Sequence, residues 1–60
     1  MDYALAKEVK TLRRRVKLAQ RNGPEATLEA CETALYRFDD IGWPDDWSWF
    51  QRAADDARMV

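Results

Sequence analysis

Acid–base, thiol and metal chemistry each require particular side chains, and this sequence offers few of them. It has no histidine and one cysteine, Cys31. Its acidic residues include the adjacent pairs Asp39-Asp40, Asp45-Asp46 and Asp55-Asp56. Adjacent residues on a helix point about 100° apart, so the carboxylates of one pair do not converge on a single metal ion or substrate. We therefore expect these acids to cap helices and to face solvent.

No other pattern in the chain predicts catalysis. Cys31 falls on a predicted apolar stripe, where a thiol behaves as a small hydrophobe and has no base beside it. The sequence contains no EF-hand loop, no CxxC pair and no glycine-rich phosphate loop. A chain of 60 residues buries only about 60% of the surface that it exposes when unfolded, which leaves little core to spare for a catalytic cleft. We predict a protein that is not an enzyme and that needs neither a cofactor nor a metal.

Three helices must position the remaining candidate residues. Helix 1, predicted over 2–21, has apolar residues in 4-3-4-3 spacing: Leu5, Val9, Leu12, Val16 and Ala19. Helix 2, predicted over 24–41, has a 3-4-3 stripe: Leu28, Cys31, Leu35 and Phe38. Helix 3, predicted over 45–58, has a second 3-4-3 stripe: Trp47, Phe50, Ala54 and Ala57.

Helix-ending residues separate these segments. Asp2 can cap the start of helix 1. Each of the two turns combines a glycine that ends one helix with a proline at or near the start of the next: Asn22-Gly23-Pro24 and Gly42-Trp43-Pro44. Trp43 is placed to fold over the first turn of helix 3 as a hydrophobic staple. Such short turns make successive helices antiparallel neighbours, so we predict one all-α domain over 1–60, a small antiparallel three-helix bundle. An antiparallel pairing of helices 1 and 2 predicts that Arg13 lies beside Glu32.

The same sequence argues against membrane insertion and secretion. Its apolar runs are far shorter than the roughly 20 residues of a membrane-spanning helix. Met1-Asp2-Tyr3 leads directly into a charged segment and lacks the apolar region of a signal peptide. One cysteine cannot form an internal disulfide, so self-association or a partner would have to supply any additional stability. We expect a cytoplasmic protein with no membrane partner.

The two signs of charge are separated along the chain. Residues 1–23 carry a net charge of +5 and residues 24–60 a net charge of −6. Much of the positive charge lies on the outward face of helix 1, on residues that we call the basic stripe: Lys7, Lys10, Arg14, Lys17 and Arg21. A purely solvated face, neutralisation by the acidic half of the protein, and binding to nucleic acid phosphates all remain open explanations for this face.

Aromatic residues are concentrated before and within helix 3. Trp43, Trp47, Trp49 and Phe50 lie within eight residues of one another. We assign all but Trp49 to the core, because Trp49 falls off the stripe. Exposed tryptophan and tyrosine beside arginine are typical of interface hot spots, so Trp49, Tyr36 and Arg52 form a candidate partner-binding set. Trp49 at the edge of the core is the equal alternative, because a third helix widens the core.

The C-terminal third resembles a segment of small orphan accessory proteins of actinobacterial phages. The matching residues are Gly42-Trp43-Pro44-Asp45-Asp46-Trp47-Ser48, Gln51-Arg52-Ala53 and Asp55-Asp56-Ala57, and the resemblance covers roughly residues 35–58. It implies an accessory protein in a bacterial cytoplasm, and small phage proteins of this kind often act by binding and redirecting a host protein. It transfers no functional residues, because that family has no assigned activity.

Two functions follow from these observations as hypotheses. The first is a non-enzymatic protein-binding module, a phage-encoded modulator of a bacterial host protein. The second is a nucleic-acid-binding module that uses the basic stripe. Self-association through helix 1 is compatible with either function. Imitation of nucleic acid by the acidic half stays open, because charge counts do not fix surface geometry.

Overall fold

The fold is a bundle of three α-helices, as the sequence predicts. The computed structural model describes residues 3–59. Its helices are α1 (Tyr3–Gln20), α2 (Pro24–Ile41) and α3 (Trp47–Arg58), and this part of the chain contains no strand. The middle helix, α2, packs against both of the others and the molecule measures 34 × 17 × 15 Å. The expected cap at Asp2 lies outside the described residues.

The two turns have the geometry that their sequences require. Gly23 and Gly42 have φ values of 110° and 107°, which L-residues with side chains rarely adopt. Pro24 occupies the start of α2, and the Gly42 N–H closes its end by donating to the Phe38 carbonyl at 2.9 Å. The start of α3 differs from the expected Asp45, since residues 45–46 form a turn. The Trp47 N–H donates to the Pro44 carbonyl there at 3.2 Å, and Pro44 itself is fully buried.

The centre of the α1 stripe and two of the four residues of the α2 stripe are buried in the core, together with residues that the spacing did not predict. The core includes buried residues from all three helices: Val9, Leu12, Val16, Cys31, Ala34, Phe38, Phe50, Ala53 and Ala54. Leu28 and Leu35 are only partly buried against it. Thr27 is buried although it is polar, because its hydroxyl donates to the Gly23 carbonyl at 2.9 Å. The buried face of α2 is therefore rotated from the predicted stripe towards Thr27 and Ala34.

The assignment of Trp47 and Trp43 to the core is wrong. Trp47 is 42% exposed and Trp43 is 49% exposed. The core-facing side of α3 is filled instead by Phe50 and by alanines, whose small side chains let α3 approach α2. The ring of Trp47 lies at the edge of this contact, against Trp43 with 5.8 Å between ring centroids. The predicted staple between Trp43 and the first turn of α3 is confirmed, but it lies on the surface.

The predicted pairing of Arg13 with Glu32 is also wrong. The ion pair that joins α1 to α2 is between Glu8 and Arg37, with 2.9 Å between Oε1 and Nε. Arg13 turns towards α3 and pairs with Asp46. The predicted antiparallel arrangement of α1 and α2 is confirmed. That arrangement does not specify where the third helix lies, and the partner of Arg13 depends on this position.

Candidate functional site

The basic stripe occupies an exposed face of α1. All five of its side chains are exposed, and Arg21 follows one residue after the end of the helix. Between Lys7 and Lys17 the stripe extends for about 15 Å along the helix axis, with a cation on every turn. These side chains point away from Val9, Leu12 and Val16, because charged groups without buried partners remain in water.

No cation of the basic stripe forms an ion pair within residues 3–59. The cations that do so lie elsewhere on the chain: Arg13, Arg37 and Arg58. Lys10 and Arg14 are one turn apart and repel each other, as like charges at this spacing do. The described structure therefore gives no support to neutralisation of the stripe by direct pairing with the acidic half of the protein.

Trp49, the central residue of the predicted partner-binding set, lies inward. It is partly buried, packs against the core and meets Phe50 edge to face at 5.0 Å between centroids. The Arg13 guanidinium lies over its ring, 5.1 Å from the centroid. Arg13 thus makes two contacts from α1, one with the Trp49 ring on α3 and one with the Asp46 carboxylate in the turn before it. This arrangement matches the edge-of-core alternative for Trp49.

Replacing Arg13 by alanine should lower the free energy of unfolding by about 1 kcal/mol, because it removes a partly exposed ion pair and a cation–π contact. The matched control is Arg14→Ala, which removes an exposed cation that forms no ion pair within the described residues and should leave stability unchanged or slightly higher. Urea unfolding followed by circular dichroism measures both variants. Equal midpoints for the two would contradict a stabilising role for Arg13.

Tyr36 and Arg52 lie on other surfaces. Tyr36 is 80% exposed and points away from the buried residues of α2. It lines a shallow depression between α1 and α2 together with Glu8 and Arg37. Arg52 is exposed on the face of α3 opposite its buried alanines. The predicted set is therefore not one contiguous patch, since Trp49 faces α1 whereas the other two side chains face solvent from separate helices.

A different pair of aromatic residues forms an exposed surface. We call Trp43 and Trp47 the aromatic ridge; their rings are nearly perpendicular, with an interplanar angle of 86°. Trp43 also meets Phe38 edge to face at 5.7 Å, and its Nε1–H donates to Oδ1 of Asp39 at 3.1 Å. The sequence contained the signal for this surface, because the cluster holds more aromatic area than one short helix can bury.

Groups capable of nucleophilic or metal chemistry are poorly placed. Cys31 is fully buried, and this burial raises the pKa of its thiol, although Arg58 opposes the effect and Glu32 adds to it. Within residues 3–59, no three His, Cys, Asp or Glu side chains are arranged to hold a metal ion. Across the same residues, no helix is both long and apolar enough to cross a membrane.

Comparisons with protein families, curated proteins and solved structures yield no match for this chain. The assignment of function therefore depends on the geometry of the two surfaces described above.

The burial of Cys31 has a measurable consequence. In the native protein the thiol should react with an aromatic disulfide reagent at least about tenfold more slowly than in the protein unfolded in urea, because both access and thiolate fraction are reduced. Absorbance of the released thiolate at pH 8 follows the reaction. Equal rates in the two states would show that Cys31 is accessible when the protein is folded.

Proposed function

We propose that this protein is a non-enzymatic module that binds nucleic acid through the phosphate backbone. The observation that carries the proposal is the basic stripe, an exposed row of cations with no ion pairs among the described residues. Phosphates placed along this row would relieve the repulsion between neighbouring cations and would release condensed counterions. Contacts of this kind give affinity without reading base sequence.

The position of the acids is compatible with this role. Asp45 and Asp46 both border a surface depression that Lys10 also lines. The Asp46 carboxylate pairs with Arg13, and Asp45 is exposed in the turn before α3. Glu25, Glu29 and Glu32 are exposed on α2 and belong to the face opposite its buried residues. A phosphate strand lying along the solvent face of α1 would therefore contact the cations of the stripe and not these acids of α2.

Salt dependence tests the proposal on the unmodified protein. Purified protein is titrated into a fluorescein-labelled DNA duplex, and anisotropy is recorded at about 50 and 200 mM salt. If each of the five cations contacts one phosphate, the affinity should fall by roughly several hundredfold between the two salt concentrations. Absence of binding at low salt both to this duplex and to its labelled strand alone, or binding that does not weaken with salt, would overturn the proposal.

We propose protein binding as a second candidate function, because the aromatic ridge is exposed to an unusual degree. Two tryptophans that are each nearly half exposed and in contact with each other match the composition of interface hot spots. The proposed protein-binding surface is therefore Trp43 and Trp47 rather than Trp49. The resemblance to phage accessory proteins suggests that the partner is a bacterial host protein.

The second candidate predicts that Trp47→Ala weakens binding to a partner captured from bacterial lysate by about 30-fold or more, as truncation of a hot-spot residue does. The matched control is Tyr36→Ala, which removes an exposed aromatic side chain from a different face. Calorimetric titration with the purified partner measures both affinities. Equal affinities would exclude the aromatic ridge as the interface.

A further inference from the structure

The aromatic residue at the beginning of α1 continues the line of the basic stripe. Tyr3 precedes Lys7 by four residues, so the spacing from Tyr3 through Lys7, Lys10 and Arg14 is 4-3-4. This spacing keeps all four side chains on one face of the helix. The Tyr3 side chain is 81% exposed and makes no ring contact within the described residues.

These side chains lie next to one another on the solvent-facing side of α1. A shallow depression of about 450 Å³ is lined by Tyr3, Ala6, Lys7, Lys10, Thr11 and Arg14. Lys7 lies one helical turn from Tyr3, about 6 Å along the axis, and Arg14 lies about 16 Å away. The surface therefore combines an open aromatic ring at one end with three cations that follow it at regular intervals.

We infer that the nucleic acid bound here is single-stranded, with an unpaired base stacked on Tyr3 and the adjoining phosphates on Lys7, Lys10 and Arg14. In a duplex each base is already stacked between its neighbours, so Tyr3 would find no free face. In a single strand the faces of the bases are available, and stacking of a base on an aromatic side chain adds affinity with little sequence preference. This inference rests on the proposed nucleic-acid-binding function and specifies its substrate class.

The test compares two fluorescein-labelled probes, a twelve-nucleotide oligothymidylate strand and a twelve-base-pair duplex, at about 50 mM salt. For the unmodified protein we expect tighter binding to the single strand. Tyr3→Ala should weaken binding to the single strand by roughly 5- to 150-fold and leave duplex binding within about twofold. Tyr3→Phe should retain the preference, because it keeps the ring. Tyr36→Ala, which removes an equally exposed tyrosine from α2, should change neither affinity.

The two possible failures are distinguishable. If the unmodified protein binds both probes and Tyr3→Ala affects them equally or not at all, the assignment to single strands is overturned while nucleic acid binding stands. If the unmodified protein binds neither probe, the proposed function itself fails, and the inference fails with it. Circular dichroism of each variant confirms that the exposed substitutions leave the helices formed.

Discussion

Replacing Phe38 by alanine should leave the protein largely unfolded at room temperature. Phe38 is completely buried in the middle of the core, where its ring meets Phe50 at 5.0 Å and Trp43 at 5.7 Å between centroids. Phe-to-Ala substitutions at such positions cost about 3–5 kcal/mol. A domain of this length has a total stability of only about 3–9 kcal/mol, so the loss is comparable to the whole. Far-ultraviolet circular dichroism and urea unfolding measure the effect.

Two further variants make the Phe38 result interpretable. Tyr36→Ala removes a large aromatic side chain from the same helix, but from its solvent face, and should change stability by no more than about 0.5 kcal/mol. Phe38→Leu keeps most of the buried volume and should lose less stability than Phe38→Ala. If Phe38→Ala unfolded at the same urea concentration as the unmodified protein, the packing of α2 against α3 described above would be incorrect.

Removing two cations of the basic stripe should weaken nucleic acid binding by about 100-fold at low salt. The variant is Lys10→Gln with Arg14→Gln. Each substitution removes one phosphate contact, so the slope of log K against log salt should become shallower by about 2 for the pair. Protein stability should stay the same or rise by a few tenths of a kcal/mol, since the like-charge repulsion between the two residues disappears. Fluorescence anisotropy over a series of salt concentrations measures the slope.

The matched control removes the same amount of charge from other surfaces. Arg15→Gln with Arg52→Gln takes away two exposed cations that form no ion pair in the described structure and that lie off the basic stripe. It should retain most of the affinity and most of the salt slope. Equal losses for the two double variants would mean that binding depends on net charge and not on the stripe, which would contradict the proposed site.

Local sequence determined the helices and most of their boundaries. Apolar spacing of three and four residues predicts a helix because it places those side chains on one face, and glycine with proline ends a helix by backbone geometry alone. Hence α2 begins at Pro24 and ends before Gly42, as predicted. The basic stripe was predictable for the same reason, since residues at this spacing share a face of α1 wherever that helix packs.

The tertiary structure decided which aromatic residues are buried and which charges are paired. Trp47 fits the apolar stripe of α3 by spacing and Trp49 does not, yet Trp49 is the more buried of the two. The reason is that the long Arg13 side chain reaches from α1 and covers the Trp49 ring, whereas Trp47 lies at the far edge next to Trp43. Helical periodicity gives the angle of a side chain around its own axis. The position of the neighbouring helices, which determines whether that angle points into the core or into water, arises only when all three helices pack together.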